Sequence, residues 1–249
     1  MAIFHNFVYQ PFYNILVFLY NVIPGQDFGI AIIVMTIALR LALMPLYSKQ
    51  VRSQKQMQEL QPKIKELQKE HKNDKEKQTK ELMAFYKKHK VNPFAGCLPL
   101  VVQLVVFIAI YKVLLNLSQA HLVVTPADLY AFVSNPGTIN NIFFGVVDLS
   151  IPSPSIGVLA AIAQYFQTKM LLHKKTTEKK SKPQESDTEK PDFGQMMTKQ
   201  MLYIGPAVTV FIGFTFPSGL ALYWLVSTLF MLLQQVMMTD AQDEKKTEK

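Results

Sequence analysis

The segment FGIAIIVMTIALRLALMPLY (Phe28–Tyr47) carries one charge, Arg40, in an otherwise apolar run. A run of about 20 such residues matches the hydrocarbon thickness of a bilayer when helical, so it reads as a membrane span. A charge inside such a helix costs roughly 2.5–3.5 kcal/mol on insertion scales. A guanidinium cannot escape that cost by losing its proton. Two readings follow. Either Arg40 faces a wet cavity or a negative partner, or it bends toward the interface. Tyr47 lies seven residues on, about 10 Å away at 1.5 Å per residue, which leaves snorkelling open.

The distribution of apolar residues generalises this reading. They come in blocks separated by charged blocks, the pattern of a polytopic membrane protein. The net charge of +8 raises nucleic acid as a partner. The basic residues sit beside the apolar blocks, however, which favours orientation in a membrane. A single cysteine, Cys97, excludes an internal disulfide and a cysteine metal cluster. The start lacks a basic stretch, a small-residue cleavage site and a cysteine to lipidate, so no cleavable leader or lipid anchor is expected.

The expected architecture is an all-α polytopic membrane protein with five transmembrane helices, a cytoplasmic helical hairpin and an N-terminal interfacial amphipathic helix. Residues 1–24 hold no Lys, Arg, Asp or Glu, and Asn6, Gln10, Asn14 and Asn21 share one helical face. This is the interfacial helix; its rival is a sixth span interrupted by Pro11. The first span is 28–47. Residues 48–92 hold thirteen Lys or Arg and six Asp or Glu, and Met57, Leu60, Ile64 and Leu67 form a coiled-coil-like seam. HKNDKEK (His71–Lys77) reads as the tip, and Pro62 as a kink in the first arm. NPFAGC (Asn92–Cys97) ends the hairpin. The second span is 97–117, followed by a loop, 118–155, with four prolines. The third span is 156–172. A low-complexity loop, 173–200, reads as disordered. The fourth and fifth spans are 201–216 and 220–238, joined by the turn FPSG. A charged tail, 239–249, is expected to be mobile.

Charge sets the topology. Lys and Arg fall in Lys49–Lys90, Lys174–Lys199 and Lys245–Lys249; only Arg40, Lys112 and Lys169 lie elsewhere. Five spans then obey the positive-inside rule with the N-terminus outside and the C-terminus cytoplasmic.

Signatures of catalysis are missing. The five histidines are scattered, with no HExxH and no glycine-rich phosphate loop. Asp and Glu are absent from the five predicted spans, which argues against a carboxylate proton relay and an aspartyl intramembrane protease. No enzyme activity and no cofactor are expected. The spans instead hold neutral hydrogen-bonding groups: Thr36, Gln103, Gln164, Gln167, Thr209, Thr215, Tyr223, Ser227 and Gln234. Singly, such groups join helices. Together with Arg40 they suggest a hydrated groove whose arginine awaits an acidic group on something that enters.

Four stretches carry a specific resemblance: ALRLALMPLYSKQ (Ala38–Gln50), MQELQPKIKELQ (Met57–Gln68), ELMAFYKKHKVNPFAGCLPLVVQLVVFIAIY (Glu81–Tyr111) and FPSGLALYWLVSTLFMLLQQ (Phe216–Gln235). In order and spacing the chain resembles the YidC membrane-protein insertases, relatives of the mitochondrial Oxa-type and chloroplast Alb-type insertases. It is similar to the short form, without a large extracytoplasmic domain. It departs in lacking the lipoprotein signal of many Gram-positive members and in a longer loop after the third span.

The resemblance implies an insertase and chaperone for nascent membrane proteins, working through a hydrophilic groove without ATP. It implies that Arg40 is the groove arginine, Gln103 a polar groove position, Gln164 or Gln167 a groove glutamine, and Trp224 a groove aromatic. Tyr223 and Thr36 join the client-binding set. It also implies partners among the Sec translocon, the ribosome and the signal recognition particle, contact with the phospholipid bilayer, a bacterial plasma-membrane location and a monomeric state. The alternative from another class is a small-solute channel or transporter with a polar pore, and after it a scaffold whose spans merely anchor the hairpin.

Overall fold

The computed structural model describes residues 2–72, 74–89, 91, 98–173 and 193–247. The NPFAGC block and most of the low-complexity loop lie outside the described residues. The chain is mostly helical: α1 (Ala2–Phe4), a π turn (His5–Tyr9), α2 (Gln10–Val22), α3 (Phe28–Ala42), α4 (Met44–Glu70), α5 (Lys75–Lys88), α6 (Leu98–Gln119), α7 (Pro154–His173), α8 (Phe193–Thr215) and α9 (Ser218–Thr247). Among the described residues, Val101–Gln119 and Ser218–Met237 are long and apolar enough to cross a membrane, and Phe28–Ala42 and Leu202–Thr215 are shorter apolar helices.

Helix boundaries follow local chemistry. Pro11 has no N–H for the turn before it, and the backbone widens into the π turn there. The run Phe28–Tyr47, expected as one helix, divides at Leu43, and Pro45 falls in the first turn of α4. Helix α9 continues through Thr247, into the segment 239–249 expected as a charged tail. Pro62 lies inside α4, which runs unbroken to Glu70.

The chain forms two compact units, Met1–Arg40 with Ile108–Lys249, and Leu41–Phe107. Within the second, α4 and α5 are joined by a short turn. Asp74 Oδ1 accepts from Lys77 N at 3.0 Å and caps α5, and Gln78 Nε2 donates to the Gln68 carbonyl at 2.7 Å across the turn. Of the seam residues, Ile64 is buried. Helix α5 has no buried residue.

In the first unit α7 packs on α8 and α9. The α7–α8 approach is set by glycine: a Cβ at Gly157 would lie 2.6 Å from Gly213 Cα, and one at Gly213 2.4 Å from Gly157 Cα. Small residues allow this backbone contact where lipid offers no hydrophobic drive to pack. The mostly helical chain is consistent with an all-α membrane protein. The segment 118–155, expected as a loop, holds one short antiparallel pair, β1 (Ile142–Phe143) and β2 (Val147–Asp148). Its turn has positive φ at Phe144 (+48°) and Gly145 (+72°), as primed hairpin turns require.

Candidate functional site

Two polar regions of the first unit stand out. The first is a strip along α9. Arg40, half-buried near the end of α3, donates through Nε to Ser227 Oγ at 2.8 Å, and its terminal nitrogen also bonds that oxygen. One turn before Ser227, Trp224 Nε1 donates to Gln164 Oε1 of α7 at 3.3 Å. The Thr209 hydroxyl of α8 donates to the same oxygen, so Gln164 joins three helices. Gly205 makes room for it: a Cβ there would lie 3.0 Å from Gln164 Nε2. One turn past Ser227, Gln167 Nε2 lies 3.8 Å from Met231 Sδ, a weak bond. Gln234, two turns past Ser227, is 5% exposed. Its Nε2 has no hydrogen-bond partner among the described residues. A buried donor left so costs about 1–3 kcal/mol unless something supplies an acceptor.

Arg40, Gln164, Gln167 and Trp224 therefore share contacts around one strip. Thr36 is fully buried and its hydroxyl donates to Ile32 O of its own helix at 2.6 Å. Tyr223 is 1% exposed. Gln103 is half-buried in the second unit. Ser227 and Thr209 belong to the neutral polar set of the predicted spans but not to the client-binding set that the resemblance implies; in the structure they hold Arg40 and Gln164. Their signal was present in part: Ser227 lies three residues after Trp224 and seven before Gln234, on one helical face.

The second region closes one end of the helices. Segment 118–155 is held by side chains of α2, α3 and α9. Asn14 Nδ2 donates to Asp128 O at 2.8 Å and its Oδ1 accepts from Tyr130 N at 2.6 Å. Tyr13 and Tyr20 hydroxyls accept from Thr125 N and Asn140 N, each at 2.8 Å. Asn21 Nδ2 donates to Ser134 O at 2.6 Å. The polar stripe of the N-terminal helix, expected simply as the wet face of an interfacial helix, thus grips this segment through Gln10, Asn14 and Asn21.

The hairpin reaches the start of α3: Asp27 Oδ2 accepts from Phe144 N at 2.8 Å while its Oδ1 caps Ile30 N at 3.0 Å. At the start of α9, Ser218 N and Gly219 N donate to Ile151 O and Leu149 O at 2.9 and 3.1 Å. Ser218 Oγ donates to Asp148 O at 2.9 Å. The FPSG turn is therefore a latch as well as a turn, since the free N–H groups that open a helix need acceptors.

Burial pushes the phenols of Tyr9 and Tyr13 above their ordinary pKa, against the lowering effect of hydrogen bonds from Asn116 and Thr125. Among the described residues no group of His, Cys, Asp and Glu could hold a metal ion.

Residues 18–246 match the family model described as 60Kd inner membrane protein. A protein of Rickettsia conorii named membrane protein insertase YidC is 34% identical over 233 residues, covering 91% of this chain and 37% of that protein. The Magnetococcus marinus protein of the same name is 34% identical, over 92% of this chain and 35% of its own length. The Oceanobacillus iheyensis protein of that name is 32% identical over 89% of this chain and 78% of its own length. The chain thus spans little more than a third of the first two relatives and most of the third.

Proposed function

The chain belongs to the 60Kd inner membrane protein family, and from that premise we propose that it inserts nascent membrane proteins into the bilayer and assists their folding. On this reading α3, α6, α7, α8 and α9 are the five spans, and α2 lies in the outer interface. The end closed by segment 118–155 faces out. The basic segment 48–92, the loop 173–200 and the tail are cytoplasmic. The strip around Arg40 is the client groove, lined by Gln164, Gln167, Trp224 and Ser227, with Tyr223 contributing to its walls and Thr36 packed behind it; Gln103, in the second unit, is a further client-binding residue.

The observation that carries the reading is Arg40 held by the neutral hydroxyl of Ser227 among predicted spans without a single Asp or Glu. A carboxylate on an entering tail can take a charge-assisted bond from this guanidinium, stronger than one between neutral groups. Gln234 offers a second donor on the same helix.

The chemistry then needs no nucleotide. The groove shortens the dry path for a short hydrophilic tail, and the client's apolar span supplies the drive by entering lipid. The membrane potential adds about 2.3 kcal/mol per charge per 100 mV for an acidic tail moving outward. The protein works as a monomer, with clients delivered by the ribosome and signal recognition particle or shared with the Sec translocon.

The test is insertion of a single-span client with an acidic N-terminal tail into proteoliposomes holding only this protein, without ATP, read by protection of the tail from protease. Insertion by wild type and its loss in Arg40→Ala with retention in Arg40→Lys is the expected result. No insertion by well-oriented wild type sinks the reading. Equal loss in both variants replaces a charge role with one of shape.

A further inference from the structure

Lys112 has no place in the groove. It lies on α6 seven residues before Gln119, about 10 Å below that end at 1.5 Å per residue. It is solvent-exposed in the structure and makes no ion pair among the described residues. Among the described residues it faces an aromatic ring: Nζ sits 5.2 Å from the centroid of Phe4, a cation–π arrangement.

The surroundings are divided. On one side Ile3 and Phe7, on the same N-terminal segment as Phe4, are 78% and 77% exposed and present apolar surface. On the other, Asn116, one turn along α6, is exposed and donates to Tyr9 Oη at 3.1 Å. The nearby carboxylate of Asp128 already faces His5, Nε2 to Oδ1 3.2 Å. Residues 1–27 and 117–155 contain no Lys or Arg, so on the proposed topology Lys112 is the one Lys or Arg set toward the outer half of the spans.

We propose that Lys112, framed by Phe4 and Asn116, binds the phosphate of an anionic phospholipid of the outer leaflet, whose acyl chains lie over Ile3 and Phe7. This rests on the reading of α6 as a span with Gln119 at its outer end. A lysine at this depth must bring its ammonium to the headgroup level, and the ring of Phe4 directs it along the N-terminal segment. The phosphate supplies the anion that the protein does not. The exposed apolar neighbours favour a lipid over a soluble anion, because a water-borne ligand would leave them wet. The lipid then joins α6 to the N-terminal helix.

The experiment releases the intact protein from nanodiscs of phosphatidylglycerol and phosphatidylcholine and counts retained lipids by native mass spectrometry, for wild type, Lys112→Gln and Lys112→Arg. The expected result is one phosphatidylglycerol retained several-fold more strongly by wild type and Lys112→Arg than by Lys112→Gln, with no such difference for phosphatidylcholine. Equal retention of phosphatidylglycerol by wild type and Lys112→Gln overturns the proposal. So does equal loss in Phe4→Ala and Lys112→Gln of both lipids, which would mean nonspecific loosening. Client insertion is measured on the same preparations. Absence of insertion in wild type would fail the insertase reading while the lipid comparison still decides this site.

Discussion

The closed end of the helices and the strip along α9 hold their polar groups in opposite ways. At the closed end, Asn14, Tyr13, Tyr20 and Ser218 bond to backbone atoms of segment 118–155. A backbone acceptor in a folded segment has nowhere to turn. Along the strip, side chain meets side chain: Arg40 with Ser227, Trp224 with Gln164, Gln167 with Met231. Those partners rotate, and Gln234 Nε2 has none among the described residues. The first arrangement holds its segment in place. On the proposed function, the second exchanges its bonds for those of a client. Variants at the closed end should therefore cost stability without changing client preference, and variants in the strip the reverse.

The largest effect is expected at Arg40. A hydrogen bond to a charged group contributes about 1.5–3 kcal/mol, so Arg40→Ala should slow insertion of an acidic-tailed client by about 10- to 100-fold. A client with a neutral tail should be affected far less, and melting of the purified protein should stay near wild type. A fall in stability as large as the fall in insertion would make Arg40 a structural residue and erase the contrast.

Asn14→Leu tests the other side. It keeps the size of the side chain, leaves Tyr130 N without its partner and leaves Asp128 O the longer bond from Gln10 Nε2 at 3.3 Å. Together these losses cost about 2–3 kcal/mol. Hydrogen exchange at Leu129–Val133 should rise steeply, while the ratio of acidic-tailed to neutral-tailed insertion holds. A changed ratio would mean the two regions are coupled.

This division also marks what the sequence makes legible. Arg40 announces itself because a charge in an apolar run is costly wherever it lies. The Asn stripe of the N-terminal helix is visible by period, but its partner is not, because it grips backbone carbonyls and amides that every residue possesses. The β hairpin is hidden for a similar reason: its turn uses Phe144 at positive φ, a residue that normally argues against such a turn. Gln164 and Gln167 are equivalent by helical spacing; their partners, Thr209 and Trp224 for Gln164 and Met231 for Gln167, depend on packing that no spacing shows.

A smaller effect is expected where the hairpin covers α3. A Cβ on Gly29 would lie 2.1 Å from Phe143 Cδ2, so Gly29→Ala must push the ring aside. Overpacking of this kind costs about 1–3 kcal/mol. The double variant Gly29→Ala, Phe143→Ala should lose less than the sum of the single losses, because the clash is gone. Strict additivity would mean the ring does not rest on the glycine.

The smallest effect is titration of the phenols that hold the closed end. Burial raises the pKa of Tyr9 and Tyr13 in the folded protein above the ordinary value near 10. The folded state thus favours the neutral phenol. The stability linked to it is present in full below the unfolded value and declines as pH rises through the folded one. The Thr125 amide, which donates to Tyr13 Oη, reports the event directly. Its protection, after correction for base-catalysed exchange, should be flat from pH 6 to 9 and fall only above about pH 10. In Tyr9→Phe, Tyr13→Phe that alkaline step should disappear, leaving a uniformly less protected amide. A step well below pH 9 would instead show that the phenols do not control the closed end.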